Sequence, residues 1–369
     1  MKPMKTDVIV VGGGIVGLAT AFLAHEKGLS VRVIDRSTQP VGSSIQNFGH
    51  ACFTGQADDV QDMAMKSREG WKRAAAAAGL WAHESGTFIP AVSEAEMQVL
   101  QEFHNKRGAE QVQLLSREEV AQGIGNPELQ ALGGAHLPLD MRVDPREAAP
   151  KLAQWLAGQG VEFNWRHEVH SVADGQVGTN RGDFEASHVV VCPNYHLTQL
   201  FPELADKFDL RVCTLTMALI ERPDKIPADL GMLTGTSLAR YDGFTNVPAA
   251  EALRADLQQR EPELVDCIAN LMVTGIDDYL LIGDSHDYAY SPNPFIDQET
   301  ASLLMDKATA YLGIENPRVV QRWQGSYADS RSTNLILDNP DAQTTVAVVA
   351  SGIGMTMSFG IAAEILRQL

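Results

Sequence analysis

Gly12-Gly13-Gly14-Ile15-Val16-Gly17 has the spacing G-x-G-x-x-G and stands between a β-branched run at residues 7–11 and a helix-forming stretch at residues 18–27. In that setting the motif cradles phosphate. Gly12 permits a tight turn, Gly14 lets the backbone approach a pyrophosphate, and Gly17 lets helix and strand pack closely. The free N–H groups of the first helical turn, at Ile15 and Val16, and the helix dipole favour the phosphate charge. Asp35, with Arg36 after it, ends a second β-branched run and lies 18 residues past Gly17. A carboxylate there accepts hydrogen bonds from a ribose diol and repels an NADP phosphate. The motif predicts a bound dinucleotide and leaves NAD and FAD both open.

The elements that must position these residues read as strand, turn, helix, strand over residues 7–34. Five consecutive alanines at residues 74–78 continue a helix from Trp71. Ser93 with Glu96 and Ser116 with Glu119 have capping-box spacing, each opening a helix outside the nucleotide core. The core pattern resumes at Asp144-Pro145 with a helix to residue 159, a strand at 161–165 and a β-branched run at 188–191. Residues 211–322 mix strand-like runs (212–220, 279–282) with helical ones (249–259, 298–312), as expected of an inserted domain. A buried strand at 344–350, a glycine turn at 351–357 and a helix from 358 close the chain. The expected fold is α/β, a Rossmann-like dinucleotide domain (1–80, 140–210, 322–369) with a second domain (81–139, 211–321) on a mixed or antiparallel sheet.

The 369 residues suit about two domains. With 44% hydrophobic and 21% charged residues the chain is a folded one, and a net charge of −18 turns it away from nucleic acid and anionic lipid. Cys52, Cys192, Cys213 and Cys267 are scattered without a C-x-x-C pair, so neither a metal site nor a disulfide framework is expected. A reducing, cytoplasmic setting fits that usage. The uncharged stretch at residues 8–24 follows Lys2 and Lys5 like a leader, but its three glycines are better explained by the phosphate turn. No other stretch approaches the ~20 apolar residues of a membrane span. The sequence assigns no oligomeric state.

Two further segments favour FAD: Gly42-Ser43-Ser44-Ile45-Gln46-Asn47-Phe48-Gly49-His50, and Gly352-Ile353-Gly354-Met355-Thr356-Met357. With them, nearly the whole chain resembles the D-amino-acid oxidase family of FAD-dependent oxidoreductases, which includes glycine oxidase and sarcosine oxidase. The resemblance implies that Ser43, Ser44, Asn47, Gly49 and His50 lie along the flavin. It also implies that the backbone of Val169 meets the adenine, that Gly352 binds the cofactor, and that Gly354, Met355 and Thr356 face the pyrimidine end of the ring or its ribityl chain. A helix N-terminus there stabilises negative charge on a reduced flavin. The chain departs from the family at Cys192-Pro193-Asn194, where a small residue and glycine are usual, and at Trp323-Gln324-Gly325-Ser326-Tyr327-Ala328-Asp329, where a proline and aspartate are missing. The cysteine that links flavin covalently in sarcosine oxidases is absent from that segment, which implies non-covalent FAD.

Asn47-Phe48-Gly49, Thr54-Gly55-Gln56, the Trp323 segment and Gly283-Asp284-Ser285-His286-Asp287-Tyr288 look like a narrower clade proposed to oxidise aminophosphonates. The implied chemistry is hydride transfer from the amine-bearing carbon to flavin N5, imine hydrolysis to an aldehyde and an amine, and reduction of O₂ to hydrogen peroxide. The expected partners are thus a small amine and O₂. A phosphonate needs local cations, and arginine's fork of N–H groups suits it. Arg240 and Arg331 are the candidates, with Arg322 and Lys307 behind them. His50, Tyr241, His286 and Tyr327 are the candidate catalytic side chains. Glycine, sarcosine or a D-amino acid as substrate, transfer of electrons to another acceptor, and a non-catalytic FAD-binding subunit stay open as alternatives.

Overall fold

The computed structural model describes residues 6–369; Lys2 and Lys5, the basic pair weighed as the start of a leader, lie outside the described residues. The first sheet runs Val169–Ala173, Gln176–Thr179, Gly182–Val191, Thr6–Val11, Val31–Asp35, Glu162–Trp165. Thr344–Val349 also pairs with Gly182–Val191, and Leu335–Asp341 pairs with Thr344–Val349. From Thr344–Val349 through Gly182–Val191, Thr6–Val11 and Val31–Asp35 to Glu162–Trp165 the strands are parallel. Such strands are covered on both faces, which is why residues 8–11 are continuously apolar and all buried. Helices Ile15–Glu26, Gln61–Ala78, Pro145–Gly158 and Gly354–Arg367 contribute to the core on one face, where Phe359 meets Trp71 and Phe22 edge-on with ring centroids 5.1 and 5.8 Å apart.

The second sheet runs Val319–Ser330, Leu210–Glu221, Tyr279–Ala289, Met272–Ile276, Gly231–Leu233, Thr87–Ala91, Gly133–Leu137, Gln113–Leu115. It is antiparallel apart from the pairing of Gly231–Leu233 with Thr87–Ala91. Period-two alternation divides its long strand between two cores. Cys213, Leu215, Met217 and Leu219 pack with Phe48 and Phe244, while Ala218 and Ile220 pack with Leu304, Ala308 and Leu312 of helix Gln298–Leu312. Residues 322–330, expected with the dinucleotide unit, are hydrogen-bonded along this sheet, so the chain crosses back only after Ser330. A small sheet of His50–Ala51, Met141–Val143 and Ala82–His83 completes the strand structure.

Ser116 and Glu119 form the reciprocal capping box. At Ser93 only half of it exists, because the Glu96 carboxylate bonds Val92 N at 2.6 Å and Arg260 at 2.6 Å. No helix among the described residues is long and apolar enough to cross a membrane.

Candidate active site

A cavity of ≈ 480 Å³ opens where the carboxyl ends of the parallel strands, at Val11, Asp35 and Cys192, face the second sheet at Leu215, Met272 and Asp284. Gly12, Gly14, Ile15, Val16 and Gly17 all line it. The glycines are there for space. A Cβ on Gly17 would lie 2.0 Å from Gly12 O, and one on Gly14 would lie 2.9 Å from Ser44 Oγ. Gly12 itself has φ +107°, a conformation that side chains resist. Ser44 Oγ accepts from Ile15 N at 2.9 Å, tying the small-residue segment to the helix start. Asp35 is aimed by two backbone donors, Gly13 N to Oδ2 and Ser37 N to Oδ1, both at 2.7 Å. A pyrophosphate and a ribose diol fit these groups: apart from Ser44 Oγ on Ile15 N, no side chain caps the helix start, and its first turn holds no acidic residue. We expect Asp35→Ala to lower FAD retention about tenfold or more, by loss of charge-assisted bonds. Equilibrium dialysis against free FAD checks this, and unchanged retention would remove the ribose assignment.

Arg36, Ser43, Ser44, Asn47, His50, Val169, Gly352, Gly354 and Met355 also line the cavity. Helix Gly354–Arg367 begins four residues earlier than expected, so its uncapped N-terminus, free of acidic residues, stands at the wall. Two expected contacts are corrected: Gly49 and Thr356 are not on the lining. Gly49 (φ +62°) packs on Val143, whose O would be 1.8 Å from a Cβ, and Thr356 Oγ1 accepts from Cys52 N at 3.1 Å.

The second sheet and its connections bring Arg240, Tyr241, Asn270, Asp284, His286, Tyr288 and Tyr327 to the same cavity. Arg240 Nη2 donates to Tyr288 OH at 3.1 Å. Burial works against its charge, but Tyr288, Tyr327 and Asp284 outweigh that and raise it. His286 Nδ1 donates to Ile268 O at 3.0 Å, because a carbonyl can only accept, and Nε2 is left as the acceptor. Burial, reinforced by the Arg240 charge, holds its imidazole well below the usual value. His50 is also neutral, pushed to about 4 by burial and by the Arg142 charge. Arg331 is corrected: it is exposed, outside the cavity, and pairs with Asp209 at 3.8 Å. Arg322 and Lys307 are not on the lining either, and Lys307 bonds Glu261 at 2.5 Å.

A family model described as FAD dependent oxidoreductase (DAO) matches residues 7–368. The chain belongs to the DAO family. It is therefore an FAD-dependent oxidoreductase, and the cavity between its sheets has the groups to receive that cofactor. A curated D-amino acid dehydrogenase of Helicobacter pylori is 48% identical over 46 residues, a match that spans 12% of this chain and only 11% of that relative. Among solved structures, glycine oxidase from Geobacillus kaustophilus superposes with a TM-score of 0.77 at 18% identity, over 98% of this chain and 94% of that one. L-alpha-glycerophosphate oxidase from Mycoplasma pneumoniae, a structure with FAD bound, gives 0.75 at 18% identity over 99% and 94%. These likenesses establish the fold.

The DAO-family cavity also holds residues that sequence reasoning left without a role. Asp284 and Asn270 each keep a buried side-chain oxygen without a hydrogen-bond partner. Asn194, part of the Cys192-Pro193-Asn194 departure from the family, takes a left-handed conformation (φ 54°) and bridges the two halves. Its amide donates to Ser43 Oγ at 2.8 Å and accepts from Ala328 N at 2.7 Å.

Proposed function

We propose that this oxidoreductase acts on a small primary or secondary amine that carries an anionic group, an aminophosphonate such as 2-aminoethylphosphonate or its N-methyl derivative. Arg240 carries this reading. It is a half-buried guanidinium among aromatic side chains, on the lining of the cavity, in a protein of net charge −18. The low-dielectric wall makes its charge count for more than a surface arginine's. FAD, when bound, supplies the hydride acceptor. The chain's part is to hold the anion at Arg240, orient the amine-bearing carbon, and exclude water with Leu215, Met272 and Tyr327. The neutral imidazoles of His50 and His286 and the phenols of Tyr241 and Tyr327 offer hydrogen bonds without adding charge. Arg36, Ser43, Ser44, Asn47, Val169, Gly352, Gly354 and Met355 would hold the cofactor.

FAD is held non-covalently in this reading: burial pushes the Cys192 thiol up to about 12, far from a nucleophilic thiolate, and Cys52 and Cys213 are buried and likewise raised. The four free cysteines accord with a cytoplasmic setting, and O₂ is the proposed electron acceptor, yielding hydrogen peroxide. A carboxylate in place of the phosphonate is the second reading. The structural likeness to glycine oxidase favours it, and Arg240 could bind either anion.

Anaerobic bleaching of the flavin by 2-aminoethylphosphonate, its N-methyl derivative, glycine, sarcosine and D-alanine at matched concentration separates them. Fast reduction by the phosphonates is the expected result. Reduction by the carboxylates alone would replace the substrate class, and admission of O₂ with peroxide assay tests the acceptor.

A further inference from the structure

Asp284 lies in strand Tyr279–Ala289 with 3% exposure and lines the cavity, yet its Oδ1 has no hydrogen-bond partner. Its backbone is fixed by an exchange with Asn270, Asp284 N to Asn270 O at 3.2 Å and Asn270 N to Asp284 O at 2.9 Å. His286 Nδ1 is 3.8 Å from that Oδ1 but is already committed to Ile268 O. Arg240 contributes charge to Asp284 while its Nη2 bonds Tyr288. A buried carboxyl that leaves a bond unmade beside a guanidinium is costly in a stable fold, and a ligand with an N–H donor would remove that cost.

We infer that Asp284 receives the amine of the substrate through its carboxylate while Arg240 receives its anionic group, so that the pair selects molecules carrying both. The inference rests on the amine reading above. When the amine arrives as ammonium, one N–H bond breaks, an O–H bond forms on the Asp284 carboxylate, and the electron pair stays on nitrogen. The proton stays in the complex, and nothing is oxidised or reduced in that step.

This arrangement has a pH signature. Burial pushes the Asp284 carboxyl up to about 8, against the opposing pull of Arg240. The other groups around it leave that window clear. His286 is held well below the usual imidazole value; Tyr241, Tyr327, Tyr288 and Cys267 are raised by burial, Cys213 to about 12, and Arg240 is raised too. The complex holds a single proton between acid and amine. Below pH 8 the resting acid must therefore lose its proton before ammonium binds, and kcat/KM for flavin reduction rises about tenfold per pH unit to a plateau near 8.

In Asp284→Asn the acid is gone, only the free amine binds, and the limb moves to the amine's own value near ~10. At pH 7 the variant then works at about a thousandth of its plateau, against about a tenth for the parent enzyme. Asp284→Ser serves if the amide variant does not fold. In the unaltered holoenzyme, ethanesulfonate, an anion with no amine, gives the opposite sign: its inhibition weakens above pH 8 as the carboxylate forms. A limb that stays near 8 in the variants, or ethanesulfonate binding that strengthens above pH 8, overturns the role of Asp284 alone. Failure of every amine to reduce the flavin overturns it together with the amine reading.

Discussion

Arg240→Ala should raise KM for an anionic amine by about 10- to 100-fold, the loss of hydrogen bonds to a charged group worth roughly 1.5–3 kcal/mol. A neutral amine of similar size, such as propylamine, should change by less than about threefold, since it offers the guanidinium nothing to bind. Arg240→Lys should fall between, because an ammonium keeps the charge but loses the planar fork. The contrast between substrates matters more than either number. Removing Arg240 also frees Tyr288, whose hydroxyl it bonds at 3.1 Å, and any general loosening of the wall would slow both amines alike. Steady-state kinetics with the two amines side by side decide it, and equal losses would end the anion assignment. The effect should weaken little with salt, because a half-buried guanidinium is less screened than the exposed charges that make up most of the −18.

What could be read in the chain beforehand was mostly local. The phosphate turn was legible because strand, glycines and helix are adjacent in sequence, and Asp35 because a parallel neighbour one crossover away has a fixed register, Val8 beside Val31. The last helix starts four residues before the point its sequence predicts. Gly352 and Gly354 argue against helix by propensity; what sets the start is tertiary contact, with Trp71 Nε1 donating to Met355 O at 2.7 Å and Ser67 Oγ to Thr356 O. Arg331 follows the Trp323 segment closely in sequence, but that segment is a strand ending at Ser330 and the arginine turns to Asp209. Asp284 carries a signal in the sequence, an acid set directly after the apolar run 279–283 in a strand. Its partner Asn270 comes from another strand connection and shows no such mark. Sites assembled from distant strands depend on sheet order, which periodicity does not encode.

Replacing Asp140 by alanine should cost about 3–5 kcal/mol of stability, a fall in Tm of roughly 4–6 °C for a chain of this length. Asp140 and Arg142 are both fully buried, at 0% exposure, behind the wall that His50 presents to the cavity. They communicate through one hydroxyl. Thr87 Oγ1 donates to Asp140 Oδ2 at 2.6 Å and accepts from the Arg142 guanidinium, while Asp140 Oδ1 accepts from Thr54 N at 3.0 Å. Since the single hydroxyl proton goes to Asp140, His50 Nε2, 3.1 Å from Thr87 Oγ1, must be the donor, which leaves Nδ1 as a bare acceptor without a partner. The carboxylate thus balances a buried cation and also sets the tautomer of a histidine on the cavity wall. Alanine takes from Arg142 its main counter-charge in low dielectric, which is the expensive half of breaking a buried pair. Adding Arg142→Met should return most of the lost stability, because an apolar side chain of similar length needs no counter-charge. The two defects separate by measurement. Thermal unfolding of the single and double variants reads the charge balance, and the rate of anaerobic flavin reduction in the double variant reads the tautomer, since Thr87 is then free to turn its proton toward His50. If the single variant unfolds with the parent enzyme, the pair contributes nothing to the fold; if the double variant is as unstable as the single one, the cost lies in lost packing and not in an orphaned charge.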